Sequence, residues 1–196
     1  MAETGTTLFL DNESDIIVSL KIVNWSLQQV NNDSDYWKWV IIALHSAIQN
    51  AMIVALVSVN TALVYSPDSF AKWQKLDNHP GLKSGIKEFH IDDFLCLFCK
   101  LKKYSTFIST EDTSSWLDDS TKKNMQMLNS VRNDFHHFGY KCWIISIMHL
   151  RNLTECGLSF LELLLKKTSS VIFTEREDLN QVSRIISDCR ETITNL

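Results

Sequence analysis

The stretch from Trp39 to Tyr65 constrains this chain more than any other feature. It is strongly apolar, but His45, Ser46, Gln49, Asn50, Ser58 and Asn60 interrupt it. No run therefore approaches the roughly 18 to 20 apolar residues that a membrane span needs. An apolar helix broken by such residues is expected to lie inside a protein, covered on most of its sides. The remaining segments must then pack around it. The 196-residue length suits one domain, and 45% hydrophobic residues against 21% charged ones supply the core. Five glycines and two prolines are too few for a turn-dense β protein.

Periodicity extends the helical reading to the rest of the chain. Asp11-Asn12 caps a first helix to about Val30, with Ile16, Ile17, Leu20, Ile22, Val23 and Leu27 mostly three or four residues apart. The polar run Asn31-Asn32-Asp33-Ser34-Asp35 breaks it and offers caps for a second helix from about Tyr36 to Val64. Pro67 stops that helix. Residues 66 to 90 read as a polar connection with one short helix, Ser69 to Leu76, and a break at His79-Pro80-Gly81.

A third helix is expected over Ile91 to Lys103. Asp92 and Asp93 at its start and Lys100, Lys102 and Lys103 at its end suit the helix dipole. After a loop over 105 to 119, Asp119 or Ser120 caps a fourth helix to about Phe135, and a fifth runs from Lys141 to Lys167. Thr174 and Glu177 form a capping-box pattern that opens a last helix to about Thr192. Only Ser170-Val171-Ile172-Phe173 resembles a strand. The expected fold is all-α: a single domain built as an antiparallel bundle of five or six helices, with a polar insertion at about 66 to 119.

Charge and cysteines bear on the compartment. A net charge of −4 gives no global positive field for nucleic acid, so any such site has to be a local basic cleft. The N-terminal Met1-Ala2-Glu3-Thr4-Gly5 lacks the basic and apolar regions of a signal peptide. Cys96, Cys99, Cys142, Cys156 and Cys189 are odd in number and sit in apolar patterns, as buried reduced thiols do. Together these features read as a soluble, cytoplasmic protein without a membrane segment.

Several chemistries lack their motifs. G-x-G-x-x-G, the P-loop, G-x-S-x-G and H-E-x-x-H are all absent. Cys96-Leu97-Phe98-Cys99 has no second ligand pair at zinc-finger spacing and reads as core. The acids Glu111, Asp112, Asp118 and Asp119 read as a solvated loop that caps a helix. No metal and no cofactor are expected.

The segment Val131-Arg132-Asn133-Asp134-Phe135-His136-His137-Phe138 stands apart. On a helix each residue turns about 100°, so Asn133 and His137 share one face and Arg132 and His136 the adjoining one. Leu128, Val131, Phe135 and Phe138 anchor the other side. Histidine near neutral pH can take a proton from a ribose 2′-hydroxyl or give one to a leaving 5′-oxygen. Arginine offers a fork of donors to phosphate oxygens and to the charge that develops on them. Lys122, Lys123, Arg132 and Lys141 against the single acid Asp134 make residues 120 to 141 a basic island, with His136 beside it. The same groups at a helix end can also merely satisfy terminal carbonyls. Periodicity alone leaves open which imidazole acts, because each has a partner four residues earlier.

Arg132-Asn133, three residues, then His137 matches the R-N-x-x-x-H signature of the HEPN superfamily, and the helical order over about 36 to 167 resembles that group. Trp143 and the run Ala43-Leu44-His45-Ser46-Ala47-Ile48-Gln49-Asn50-Ala51 add to the likeness. The resemblance implies an all-α homodimer that brings two motifs together at a cleft and acts as a metal-independent endoribonuclease. It also implies a toxin role beside a separate nucleotidyltransferase-type antitoxin. Under it Arg132 and His137 are the catalytic pair, Asn133 supports them, and His136 falls on a variable position. A non-catalytic relative would use the same cleft to bind a nucleotide, RNA or a protein.

Two further sets of residues are candidates. His45 and Gln49, four apart on the apolar second helix, either line this cleft or form a buried polar pair within the bundle. Among the tryptophans, Trp37, Trp39 and Trp143 sit in apolar helices and read as core or dimer contacts. Trp73 and Trp116 lie in polar segments and are the better candidates for exposed stacking on bases.

Overall fold

A computed structural model describes residues 11–77, 89–109, 116–136, 144–172 and 176–196. Among them are eight α-helices and two short 3-10 turns, with no strand. One antiparallel bridge, Tyr65 with Ile91, is the nearest approach to a sheet. The all-α fold expected from periodicity is the fold observed.

The first helix, α1 (Asn12–Gln29), begins with a reciprocal cap: the Asp11 carboxylate accepts from the Ser14 backbone N–H, and the Ser14 hydroxyl accepts from that of Asp11. The central helix α2 (Trp37–Val57) returns antiparallel to it, and Asp15 near the start of α1 accepts from Ser46 at the middle of α2 and from Asn50 one turn further on. Ile41, Leu44, Ala47, Ile48, Ala51, Met52, Ala55 and Leu56 of α2 are all fully buried. By length and composition the segment Ser34–Val57 could cross a membrane, but 72% of its apolar window is buried inside the bundle.

The second helix is shorter than its apolar pattern suggested, ending at Val57 rather than Val64. The Ser58 hydroxyl donates to the Ala55 carbonyl, and the extended Asn60 turns its side-chain oxygen to the Ala62 N–H to open a 3-10 turn over Thr61–Val64. Polar side chains that bond to nearby backbone in this way compete with helix propagation.

Next come α3 (Pro67–Asp77), α4 (Phe94–Lys103), α5 (Ser105–Ile108) and α6 (Asp119–His136). They are followed by α7 (Ile147–Ile172) and α8 (Arg176–Thr194). The short α5 lies where a loop was expected. Serine 170 to Ile172, read as strand-like, are the last residues of α7, so local β-propensity yields to the long helix packed on α2. The His79-Pro80-Gly81 break, the Thr174 cap, Glu111 and Asp112 lie outside the described residues. Part of the polar connection supplies core: Phe94, Leu97, Phe98 and Leu101 of α4 are buried, and Trp116 is buried against Phe160 of α7.

Two expectations about exposure fail. Cys96 and Cys99 face outward, because the buried stripe of α4 falls at 94, 97, 98 and 101 and leaves them on the opposite side. Cys189 is buried as expected and Cys156 partly so, while Cys142 lies outside the described residues. Trp116 is buried although its neighbours are polar, and Trp39 is 51% exposed although its neighbours are apolar.

Candidate functional site

Helix α6 owes its placement to a cap and a stripe. The Asp118 carboxylate accepts from the Thr121 N–H at 2.7 Å and starts the helix. Met125, Leu128 and Val131 then bury one side against the bundle. The adjoining face carries Asn129, Arg132 and Asn133, which successive turns stack into one row.

Opposite this row lies the approach to α4. The Asp92 N–H donates to the Val64 carbonyl, the Ser66 N–H donates to the His90 carbonyl, and the His90 N–H donates to the Ser69 hydroxyl. These bonds hold residues 90–92 beside the end of the 3-10 turn over Thr61–Val64. Lys100 tightens the arrangement: its ammonium lies 2.7 Å from Asp92 Oδ2 and 2.7 Å from the Tyr65 carbonyl oxygen.

Between the two walls is a cavity of about 610 Å³, within the range of small-ligand sites. Arg132, Asn133 and Asn129 line one side, Asp92, Asp93 and Cys96 the other, and His45 and Gln49 approach from α2. Arg132 donates through one terminal guanidinium nitrogen to Asn133 Oδ1 at 3.0 Å, which fixes part of the fork and leaves its other donors for a ligand. His45 is 3% exposed, stacks on Phe94 at 4.0 Å between ring centroids, and has Nε2 3.0 Å from Asn129 Oδ1. Burial pushes the His45 imidazole down to about 4, with the nearby Arg132 cation acting in the same direction against the Asn129 hydrogen bond. At neutral pH it is therefore an uncharged group.

The structure thus brings Arg132, Asn133, His45 and Gln49 to one cavity. His45 is both a buried hydrogen-bonded residue and a lining one, and its side-chain partner is Asn129 rather than Gln49. His136 is exposed in the last turn of α6 and is not among the lining residues. Lys122 and Lys123 are exposed near the start of α6, roughly 15 Å along the helix axis from Arg132 at 1.5 Å per residue. They do not reach the cavity wall. His137, Lys141 and Trp143 lie outside the described residues.

Sequence reasoning missed Asn129, Asp92, Asp93 and Cys96 as members of the site. Asn129 was within its reach, because it stands three and four residues before Arg132 and Asn133 on one helix face. The acids read correctly as residues opening α4, but nothing local signals that they face α6 some forty residues later. Asp92, Asp93 and Cys96 place donor atoms within 4.8 Å of one another, the nearest approach to a metal-ligating group among the described residues. Lys100 already pairs with Asp92, and burial together with the two carboxylates raises the Cys96 thiol so that it keeps its proton. That donor set suits hydrogen bonding better than a divalent ion.

The described chemistry is an arginine fork, three amides and two carboxylates around a neutral imidazole. It can grip an anionic group on one side and accept hydrogen bonds on the other. No family profile, curated protein or solved structure matches this chain.

Proposed function

We propose that this chain is a metal-independent endoribonuclease of the HEPN type, acting in the cytoplasm as a homodimer. The observation that carries the reading is the joint placement of the Arg132–Asn133 unit with His45, Gln49 and Asn129 on one cavity. Arg132 binds the scissile phosphate, and Asn133 holds its guanidinium in plane. His137, which completes the R-N-x-x-x-H pattern, is the general acid or base.

In this reaction the ribose 2′-hydroxyl loses its proton to a base and its oxygen bonds to phosphorus. The bond from phosphorus to the 5′-oxygen breaks, and that oxygen takes up a proton. The products are a 2′,3′-cyclic phosphate and a 5′-hydroxyl. The guanidinium stabilises the charge that builds on the non-bridging oxygens. Lys122, Lys123, His136 and Lys141 would extend the contact along the RNA backbone. A toxin role would pair the chain with a separate nucleotidyltransferase-type antitoxin.

The acidic wall of Asp92 and Asp93 favours a second reading, a non-catalytic dimer that binds a nucleotide in the same cavity, because carboxylates repel a long polyanion. Incubation with structured and unstructured RNA in excess EDTA, beside His137→Ala and Arg132→Ala, separates the two. EDTA-resistant cleavage with cyclic phosphate ends, lost in both variants, is the expected result. Nucleotide binding without product, lost only in Arg132→Ala, would replace the ribonuclease with the binding module.

A further inference from the structure

We infer that the cavity selects a nucleotide whose base carries an exocyclic amino group, with Asp93 accepting from that amine while Arg132 holds the phosphate. The inference rests on the reading that this cavity takes a phosphate, and it adds which base stands beside it.

The argument starts from the opposition of charge across a single cavity. Arg132 is the one cationic side chain among the described lining residues, and two carboxylates face the same space. A ligand that is anionic throughout meets Arg132 favourably and the acidic wall unfavourably. A ligand with an anionic end and a donor end satisfies both. An ionised carboxylate can only accept hydrogen bonds, so the group that meets the wall must present N–H or O–H.

The two acids are not equivalent. Asp92 is nearly buried and its charge is committed to the Lys100 ammonium at 2.7 Å, which also donates to the Tyr65 carbonyl. Asp93 is exposed, and no ion pair among the described residues holds its carboxylate. Its backbone N–H donates to Asp92 Oδ1, so its position is tied to the acid that Lys100 anchors. Gln49 adds an amide that can donate and accept at once. This arrangement matches an amine beside a ring nitrogen or carbonyl, the edge that cytosine and adenine display. Uracil and hypoxanthine place an oxygen where those bases carry the amine, and that oxygen would meet a carboxylate with no proton to share. The cavity volume of about 610 Å³ accommodates one nucleotide.

The experiment is calorimetric titration of the full-length protein with CMP, UMP, AMP and IMP in EDTA, repeated with Asp93→Asn and Arg132→Ala. Each pair of nucleotides differs by an amine against an oxygen at one ring position. The expected result is tighter binding of CMP than UMP, and of AMP than IMP, by about tenfold, the scale of one discriminating base contact. Asp93→Asn should erase or invert both preferences, because an amide can donate to the oxygen, while Arg132→Ala should weaken all four ligands. Circular dichroism confirms that each variant is folded.

Equal binding of both members of each pair, still dependent on Arg132, overturns the base preference and leaves the phosphate site standing. No binding, or binding indifferent to Arg132→Ala, removes the phosphate site and the inference with it. CMP binding that appears only when a divalent cation replaces EDTA overturns the inference in favour of a metal on the acidic wall.

Discussion

Nε2 of His45 lies 3.0 Å from Oδ1 of Asn129, and that contact joins the buried central helix to the helix carrying Arg132. With the amide oxygen turned toward the ring, Nε2 carries the hydrogen and donates. The imidazole also lies against Phe94 at the start of α4, so one neutral side chain registers three helices around the cavity.

That placement makes stability depend on pH in a definite direction. Burial lowers the folded His45 to about 4 from an ordinary 6.5, so the unfolded chain binds a proton in this window that the folded chain refuses. The contribution is complete above about pH 6.5, declines as pH falls toward 4, and is lost below that. A shift of this size corresponds to about 3 kcal/mol. Urea midpoints measured from pH 7.5 to 4 should fall more steeply in the natural chain than in His45→Gln. Parallel curves would show that His45 is not the group responsible.

Removing the cation at 132 tests both the electrostatics and the proposed chemistry. Arg132→Ala should raise the His45 pKa, read from the imidazole signals by NMR, because a repulsive neighbour is gone. The value should stay below 6.5, since burial, the larger cause, is unchanged. RNA cleavage should fall by about 10²-fold or more, the scale of losing one preorganised donor to transition-state charge. Cleavage that persists undiminished would place the reacting phosphate elsewhere.

The fold was largely legible because helix periodicity and caps are local signals. Asp11 caps α1 as its sequence suggests, and the buried positions of α2 follow its apolar pattern. What local patterns could not supply was orientation between elements. The apolar run around Cys96-Leu97-Phe98-Cys99 looks uniformly internal, yet only one side of α4 meets the bundle. Arg132, Asn133, His45 and Gln49 were each found as candidates, whereas the acidic wall depends on backbone bonds from 64–66 to 90–92 that no short motif announces.

The outward-facing pair yields a chemical prediction. Treatment of native protein with iodoacetamide, followed by peptide mapping, should modify Cys96 and Cys99 well before Cys189. Cys189 is fully buried, and burial pushes its thiol up to about 12, so it should react only after unfolding. Early labelling of Cys189 would contradict the placement of α8.

Two guanidinium groups join α8 to α7: Arg151 of α7 donates to the Ile193 carbonyl at 2.7 Å, and Arg190 of α8 makes the wider set of bonds. Arg190 donates to Glu155 at 3.0 Å, to Glu162 at 2.5 Å and to the Ser159 hydroxyl at 3.1 Å, spanning two turns of α7. A planar fork meets three acceptors that a lysine's point charge cannot reach together. Arg190→Ala should lower stability by about 1–2 kcal/mol and Arg190→Lys should recover less than half of it, because a network of charges exceeds an isolated surface pair. A lysine variant as stable as the natural chain would reduce the clamp to simple charge attraction.

Helix α7 packs closely on α2 at Gly157. A Cβ built there falls 2.7 Å from Leu44 Cδ2, 3.2 Å from Leu44 Cγ and 3.4 Å from Ile48 Cδ1. The nearest atom is the end of a flexible side chain, so Leu44 can yield to a single methyl, though it is fully buried among packed neighbours. Alanine also favours the helix over glycine by about 0.5–1 kcal/mol, which offsets part of the clash. Gly157→Ala should therefore change stability by less than about 1 kcal/mol. Gly157→Val adds two methyl groups at the same point and should destabilise by about 1–3 kcal/mol, the range for overpacked cores. Shortening the opposing side chain in Gly157→Val/Leu44→Ala should restore part of that loss, so the two substitutions together should be less harmful than their sum. Strictly additive urea midpoints would show that the two helices do not meet at this pair.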